Sequence, residues 1–336
     1  MHQKLLNWYN QNARILPWRV DVFEKTNPYH IMVSEFMLQQ TTIATVIPYF
    51  NRFIEKFPTV NHLASSSVDD VLLLWQGLGY YRRAKNLHFA SQQIINLDFF
   101  PKSYDELLQL KGVGDYTAAA IASIGFNQPV IPVDGNVKRV WSRFYGIDID
   151  SKNIKLISQQ FTLLMQGSEA FAFKISQALM ELGATVCMPK VIMCNMCPLK
   201  KSCKAFENNT MSEFPKPKKL NKPKQFDLNL FLVTDSQKQK IMIKKNPEQG
   251  LFANMYFLPS NLDERVECLN KDEDCLLHQF KHILSHYHFN VSVYHSYSKD
   301  DHSCFNTDKE VYHWISLTDR KKYSFPKLIA KALDAL

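Results

Sequence analysis

Apolar residues recur at helical spacing through the first two-thirds of the chain and at strand spacing through the last third. Met1 to Arg19 predicts an amphipathic helix interrupted by Gln3, Lys4, Asn7, Asn10, Gln11 and Asn12, and Ile31 to Ile47 predicts a mostly apolar one. Ser67-Val68-Asp69-Asp70 opens an apolar run to Trp75, and Ser103-Tyr104-Asp105-Glu106 opens another to Leu110. Both begin with a hydroxyl three residues before an acid, the pattern that caps a helix N-terminus. From Phe214-Pro215-Lys216-Pro217-Lys218-Lys219 through Lys222-Pro223-Lys224 the periodicity stops, and a Pro/Lys run of this kind predicts an extended linker. Asp227–Val233 and Lys240–Ile243 then predict a hairpin, Asn290–His295 alternates as a strand, and Lys327–Leu336 predicts a final helix. The expected organisation is a multidomain chain: a mainly α region over 1–205, a basic linker over 206–225 and an α+β domain over 226–336.

Composition narrows the class. A chain of 336 residues with 46% hydrophobic content is long enough for two or three packed domains. Lys and Arg outnumber Asp and Glu by 40 to 32, a net +8 that favours a polyanionic partner such as nucleic acid. The first nineteen residues lack the continuous apolar core of a signal peptide, and no stretch reaches the length of a membrane span, so an intracellular protein is expected. Seven cysteines, four of them crowded between 187 and 203, argue for a metal site in a reducing compartment rather than a disulfide framework.

Those four, Cys187, Cys194, Cys197 and Cys203, follow C-x6-C-x2-C-x5-C. Thiolates ligate zinc and iron–sulfur clusters alike, and residue type alone leaves both open. Zinc knuckles more often show two C-x2-C pairs or a Cys/His mixture, and no His lies inside this loop. Lys190, Lys200, Lys201 and Lys204 add a basic surface to it.

Two carboxylates carry the candidate chemistry. Leu110-Lys111-Gly112-Val113-Gly114-Asp115-Tyr116-Thr117-Ala118 places two glycines between helical stretches, where a tight turn lets backbone N–H groups approach a phosphate. Asp134, in Val133-Asp134-Gly135-Asn136-Val137, precedes an apolar-periodic helix and is expected as its N-cap. There the helix dipole would depress its pKa and keep it ionised. Glu35 lies in the apolar helix. If it faces a pocket, desolvation raises its pKa toward that of a general acid near neutrality. One proton donor and one anionic stabiliser suit cleavage of a glycosidic bond.

The blocks SEFMLQQT, GLGYYRRAKNL at 77–87, LKGVGDYTA, VDGNVKRV and the cysteine loop resemble, in order and spacing, the MutY family of the helix-hairpin-helix DNA glycosylases, over residues 15 to 205. The resemblance implies a mainly α helix-hairpin-helix glycosylase core with an iron–sulfur cluster loop over 187–203, plus a C-terminal α+β Nudix-like domain. It implies a [4Fe–4S] cluster on Cys187, Cys194, Cys197 and Cys203. It further implies excision of adenine mispaired with 8-oxoguanine or G in double-stranded DNA; a monomer without a membrane partner, cytoplasmic and nucleoid-associated in a bacterium, is the default expectation. By resemblance, Glu35 protonates the base, Asp134 stabilises the sugar, Tyr116 stands at the reacting centre and Asn136 orients it. Arg19 and Gln177 match adenine contacts. Gln39 falls in the first block, and Gln40 and Tyr80 match residues that fill the gap left by a flipped base. Arg82, Arg83 and Lys85 match phosphate contacts, as do Lys111, Gly112 and Gly114 of the hairpin. Ser285 and His286 match a loop that meets the opposite base, with Leu284 where the family carries Phe. Relatives with lyase activity have Lys at the position of Tyr116 and lack Glu35, which tells against a bifunctional enzyme. A free-nucleotide hydrolase would need the R-E-x2-E-E metal helix, which the chain lacks, and a non-catalytic DNA binder has no use for a buried acid.

Overall fold

The computed structural model describes residues 2–19, 26–165, 171–216, 223–263, 275–284, 287–297 and 312–334. Its elements in chain order are helices α1 (His2–Asn12), α2 (Pro28–Leu38), α3 (Ile43–Lys56), α4 (Val60–Ala64), α5 (Val68–Trp75), α6 (Arg82–Asn96), α7 (Tyr104–Leu108), α8 (Asp115–Ala120), α9 (Gly135–Tyr145), α10 (Ser151–Met165), α11 (Phe171–Thr185) and α12 (Lys204–Glu207). Strands β1 (Lys224–Thr234), β2 (Lys240–Lys245), β3 (Tyr256–Phe257), β4 (Cys275–Ile283), β5 (Tyr287–Tyr297) and β6 (Tyr312–Ser316) follow, then helix α13 (Lys327–Leu333). The chain divides into two compact units, one of residues 1–66 with 86–219 and one of 67–85 with 220–336.

The first unit is helical, and its elements start where the caps place them. Ser103 accepts from the Glu106 N–H while the Glu106 carboxylate accepts from the Ser103 N–H, a complete capping box on α7. Asp134 caps α9, whose Val137, Val140 and Trp141 lie on one face at i, i+3 and i+4. They bury against Ile175, Ala178, Leu179 and Leu182 of α11 and Leu5, Leu6 and Tyr9 of α1.

Two helix expectations are corrected. The amphipathic stretch at the N-terminus is helical only to Asn12. The helix expected from Ile31 to Ile47 is two helices. It stops at Leu38, Gln40 turns through φ +57°, and Thr42, in an extended conformation, is the N-cap of α3. The Thr41-Thr42 pair accounts for the break, since hydroxyl-bearing β-branched residues favour caps and turns over helix interiors.

In the second unit, β1 and β2 form the expected antiparallel hairpin, and β5 lies parallel to β1 on its other side. The sheet runs β3-β2-β1-β5-β4, with β6 also pairing β2. Period-two alternation sorts β1 between two faces: Leu228, Leu230 and Leu232 pack with Leu328, Ile329, Ala332 and Leu333 of α13, while Phe231 and Val233 pack with Met242 and Tyr312. Ordered structure continues past residue 205 into the segment expected as linker. A 3₁₀ turn spans Met211–Glu213, and the Phe214 carbonyl accepts from Arg143 Nε at 3.0 Å. Among the described residues no helix is long and apolar enough to cross a membrane.

Candidate active site

Helix α2 is apolar nearly all round and therefore buried, with every residue from Ile31 to Met37 withdrawn from solvent. Glu35 sits in that run at 3% exposure. Burial disfavours its charged form and lifts its pKa to about 7, helped by the nearby Asp134 charge and opposed by the Tyr116 hydrogen bond and by Arg19. Tyr116, the second residue of α8, donates from Oη to Glu35 Oε2 at 2.6 Å. Burial and the two carboxylates push the phenol well above its ordinary value, so it stays neutral and remains a donor.

Asp134 is held at both oxygens. Oδ1 accepts from the Val137 N–H at 2.7 Å, and Oδ2 accepts from Asn136 Nδ2 at 2.7 Å. Asn136 Oδ1 in turn accepts from Arg139 Nη2 at 2.8 Å. The cap was expected; the depressed pKa was not found. Burial raises Asp134 above its ordinary value, and the hydrogen bonds from Val137 and Asn136 with the Arg139 charge offset only part of that. A helix N-terminus competes poorly once the carboxylate is taken out of water.

Glu35, Tyr116, Asp134 and Asn136 line one cleft of about 860 Å³. The break between α2 and α3 gives it a wall from Leu38 to Ala44, including Gln39 and Gln40. Gln39 Nε2 donates to Thr117 Oγ1 at 3.2 Å, which turns it toward α8, whereas Gln40 is exposed with its strained positive φ. Arg19 and Gln177 also line the cleft, Gln177 at 3% exposure.

The sequence reading missed Glu181 and Arg14 in this wall. Glu181 is fully buried and bridges Arg14 Nε at 2.5 Å and Arg19 Nη1 at 2.8 Å. Burial alone would push its carboxyl up, but the two guanidiniums together hold it below the ordinary value. The signal was available, since Glu181 lies one turn past Gln177 on the same helical face.

The hairpin glycines have separate reasons. Gly112 turns through φ +81°, and a Cβ there would fall 2.3 Å from Asn86 Cβ. Gly114 is the extended N-cap of α8. Lys111 is exposed, its ammonium 5.1 Å from the Phe89 ring centroid.

In the second unit the 77–81 turn exposes Tyr80 at 43% with φ +49°. Arg82 is exposed, and Lys85 is half-buried, but Arg83 is a correction to the expected phosphate contacts. Arg83 is buried at 7% exposure, donates to Gly79 O at 3.0 Å and faces the Trp75 and Tyr80 rings. Lys85 Nζ donates to Glu248 O at 2.8 Å. The Arg83 charge was legible; its inward partners were not. Ser285 and His286 lie outside the described residues.

The four cysteines ring a small pocket with Arg143, Val186, Ile192, Lys200, Phe206 and Met211. Arg143 Nη1 donates to Cys187 Sγ at 3.4 Å and to Cys187 O at 3.3 Å. Burial and the neighbouring thiols push Cys197 up to about 12 and raise Cys194 and Cys203, so a cationic guest is needed to hold these three as thiolates. Among the described residues no three Cys, His, Asp or Glu groups are arranged to hold a metal ion.

Residues 33–164 match the HhH-GPD superfamily of base excision DNA repair proteins, and residues 229–335 match a NUDIX domain. The chain is 37% identical over 303 residues to an adenine DNA glycosylase of Buchnera aphidicola subsp. Baizongia pistaciae (strain Bp), covering 85% of this chain and 82% of that one. It is 36% identical to an adenine DNA glycosylase of Buchnera aphidicola subsp. Schizaphis graminum (strain Sg), covering 99% and 97%. A solved thermostable thymine-DNA glycosylase shares the fold with TM-score 0.54 and 25% identity, covering 61% of this chain and 94% of that one.

Proposed function

Since the chain belongs to the adenine DNA glycosylase family of base excision repair enzymes, which act on N-glycosyl bonds in DNA, we propose that it flips out and hydrolyses off adenine mispaired with 8-oxoguanine or G, acting as a monomer. The observation that carries this reading is the pairing of Glu35, near pKa 7 in a buried helix, with Asp134 in one cleft. Protonated Glu35 donates to adenine N7. The C1′–N9 bond then breaks, its electron pair leaves with the base, and the Asp134 carboxylate balances the oxocarbenium-like sugar. Glu35, now ionised, takes a proton from the water that adds at C1′. Tyr116 steadies Glu35 through its hydrogen bond, and Asn136 holds Asp134. With Tyr at 116 the site has no amine there to form a Schiff base, which supports hydrolysis without strand cleavage.

Arg19 and Gln177, as part of the cleft wall, suit contacts to the flipped adenine, and Gln39 frames the same opening. Gln40 and Tyr80, exposed at positive φ, suit filling the vacated stack. Arg82, Lys111 and the amides around Gly112 and Gly114 suit phosphates. The 1–205 region would perform excision and the 226–336 domain would read the opposite base, Ser285 and His286 included. Cys187, Cys194, Cys197 and Cys203 would hold the [4Fe–4S] cluster, whose iron–thiolate bonds, when it is bound, pin the loop carrying Lys190, Lys200 and Lys201.

The test is cleavage of duplexes carrying A opposite 8-oxoguanine, G or T, read with and without alkali. Adenine loss from the first two, strand breakage only after alkali, and loss of both in Glu35→Gln is the expected result. A parent protein that spares adenine but nicks an oxidised-pyrimidine duplex without alkali belongs to a different chemistry.

A further inference from the structure

The exposed ring of Tyr80 projects from a turn of unusual backbone, with positive φ at Gly77, Gly79 and Tyr80. The shape of that turn is locked from within. Trp75 Nε1 and Arg83 Nη2 both donate to Gly79 O, at 3.1 and 3.0 Å, and the Arg83 guanidinium lies 5.3 Å from the Tyr80 ring centroid. A locked shape does not by itself fix where the turn stands on the molecule. Val71, Leu72, Trp75 and Leu78 bury the segment, and each of its two flanks adds a polar contact to one short stretch of the sheet. Ahead of the turn, both Asp69 oxygens, at the start of α5, lie 2.7 Å from Lys245 Nζ. Behind it, Lys85 Nζ, in the first turn of α6, donates to Glu248 O. Lys245 and Glu248 are three residues apart, at the end of β2 and just beyond it. Lys245 is itself held, since it pairs with Tyr256 across the β2–β3 ladder and its ammonium lies 5.5 Å from the Tyr256 ring centroid. Tyr256 packs edge-on against Tyr323 at 4.8 Å.

We infer that the end of β2 is the mount for the Tyr80 turn, and that Lys245 and Asp69 are positioning residues for the contact Tyr80 makes with DNA. This rests on the proposed role of Tyr80 in the vacated stack. The ion pair is half exposed, and such pairs add little to global stability. Its effect falls on the aim of a rigid turn. Breaking it loosens one of the polar contacts that set the turn's angle, so the ring reaches the duplex from a wider set of positions and binding weakens. The bond-breaking step is left alone, because none of these groups lines the cleft that holds Glu35 and Asp134.

Single-turnover cleavage of a duplex with A opposite 8-oxoguanine, or opposite G, measured against enzyme concentration, separates half-saturation from plateau rate. Lys245→Met and Asp69→Asn are each expected to raise half-saturation about 2- to 5-fold, the range an exposed ion pair spans, with the plateau rate and Tm unchanged. The reversed pair, Asp69→Lys with Lys245→Asp, is expected to recover part of the loss. In a Tyr80→Ala background Lys245→Met should add nothing, because the aim of an absent ring has no consequence. If Tyr80→Ala weakens binding while Lys245→Met does not, or if the two losses simply add, the mounting role is wrong and the Tyr80 reading stands. A Tyr80→Ala protein that binds like the parent removes the Tyr80 reading, and the inference with it.

Discussion

A carboxylate in an apolar helix trades stability for chemistry, and Glu35 shows the trade at a single atom pair. Its folded pKa of about 7 lies above its ordinary 4.5, so the folded state holds a proton that the unfolded chain releases. The sign follows. Below pH 4.5 both states are protonated and the group makes no titration-linked penalty; between 4.5 and about 7 stability falls as pH rises, and above 7 the loss levels off. Glu35→Gln removes that titration. Its stability relative to the parent should therefore climb across the window and plateau at roughly 3 kcal/mol, the equivalent of the shift. Thermal unfolding of both proteins from pH 4 to pH 9 checks it, and a gap of constant size across that range would show that Glu35 is not desolvated. The same titration sets the alkaline limb of activity, because only protonated Glu35 can donate to the base.

At the scale of elements, the site depends on how closely α9 and α11 approach. Gly183 makes that approach possible, since a Cβ there would meet Asn136 Cβ at 2.6 Å and Asn136 backbone at 3.0 Å. Asn136 holds Asp134, so Gly183→Ala would push the N-terminus of α9 away and misaim the carboxylate. The expected outcome is a plateau cleavage rate lowered about 10-fold or more, with stability reduced by about 1–3 kcal/mol for the overpacking. Single-turnover kinetics beside thermal unfolding checks it, and a variant that is destabilised but fully active would mean that α11 moves instead of α9. Local signals made much of this scale legible. The Ser103–Glu106 box, the Asp134 cap and the β1–β2 hairpin are written in adjacent residues and form as written. What the sequence did not disclose depends on distant partners. Continuous apolar content hid the break at Leu38, the inward turn of Arg83 depends on the Trp75 ring, and the raised pKa of Asp134 depends on burial that no capping motif encodes. Glu181 was signalled only by its place one turn past Gln177, since a lone acid on an apolar helix has a solvated reading until two arginines from the N-terminal segment are seen to meet it.

Net charge acts on the whole molecule, and here it must be divided between cations that face solvent and cations spent internally. The chain carries +8 overall, yet Arg83 is buried against rings and carbonyls, Arg139 and Arg143 hold backbone around the cysteine loop, and Arg14 and Arg19 neutralise Glu181. Counterion release counts only charges that reach phosphate, so the salt dependence of DNA binding should report the exposed subset alone. Log K against log salt for the mispair duplex should be linear and steep, and Arg82→Ala and Lys111→Ala should each reduce the slope by about one, because each removes one phosphate contact. Arg83→Ala should lower Tm through the loosened 77–81 turn while leaving the slope unchanged. Were Arg83→Ala to flatten the slope and Arg82→Ala to leave it intact, the phosphate path would run through the buried side of the turn, and the division between structural and DNA-facing cations drawn from their burial would have to be reversed.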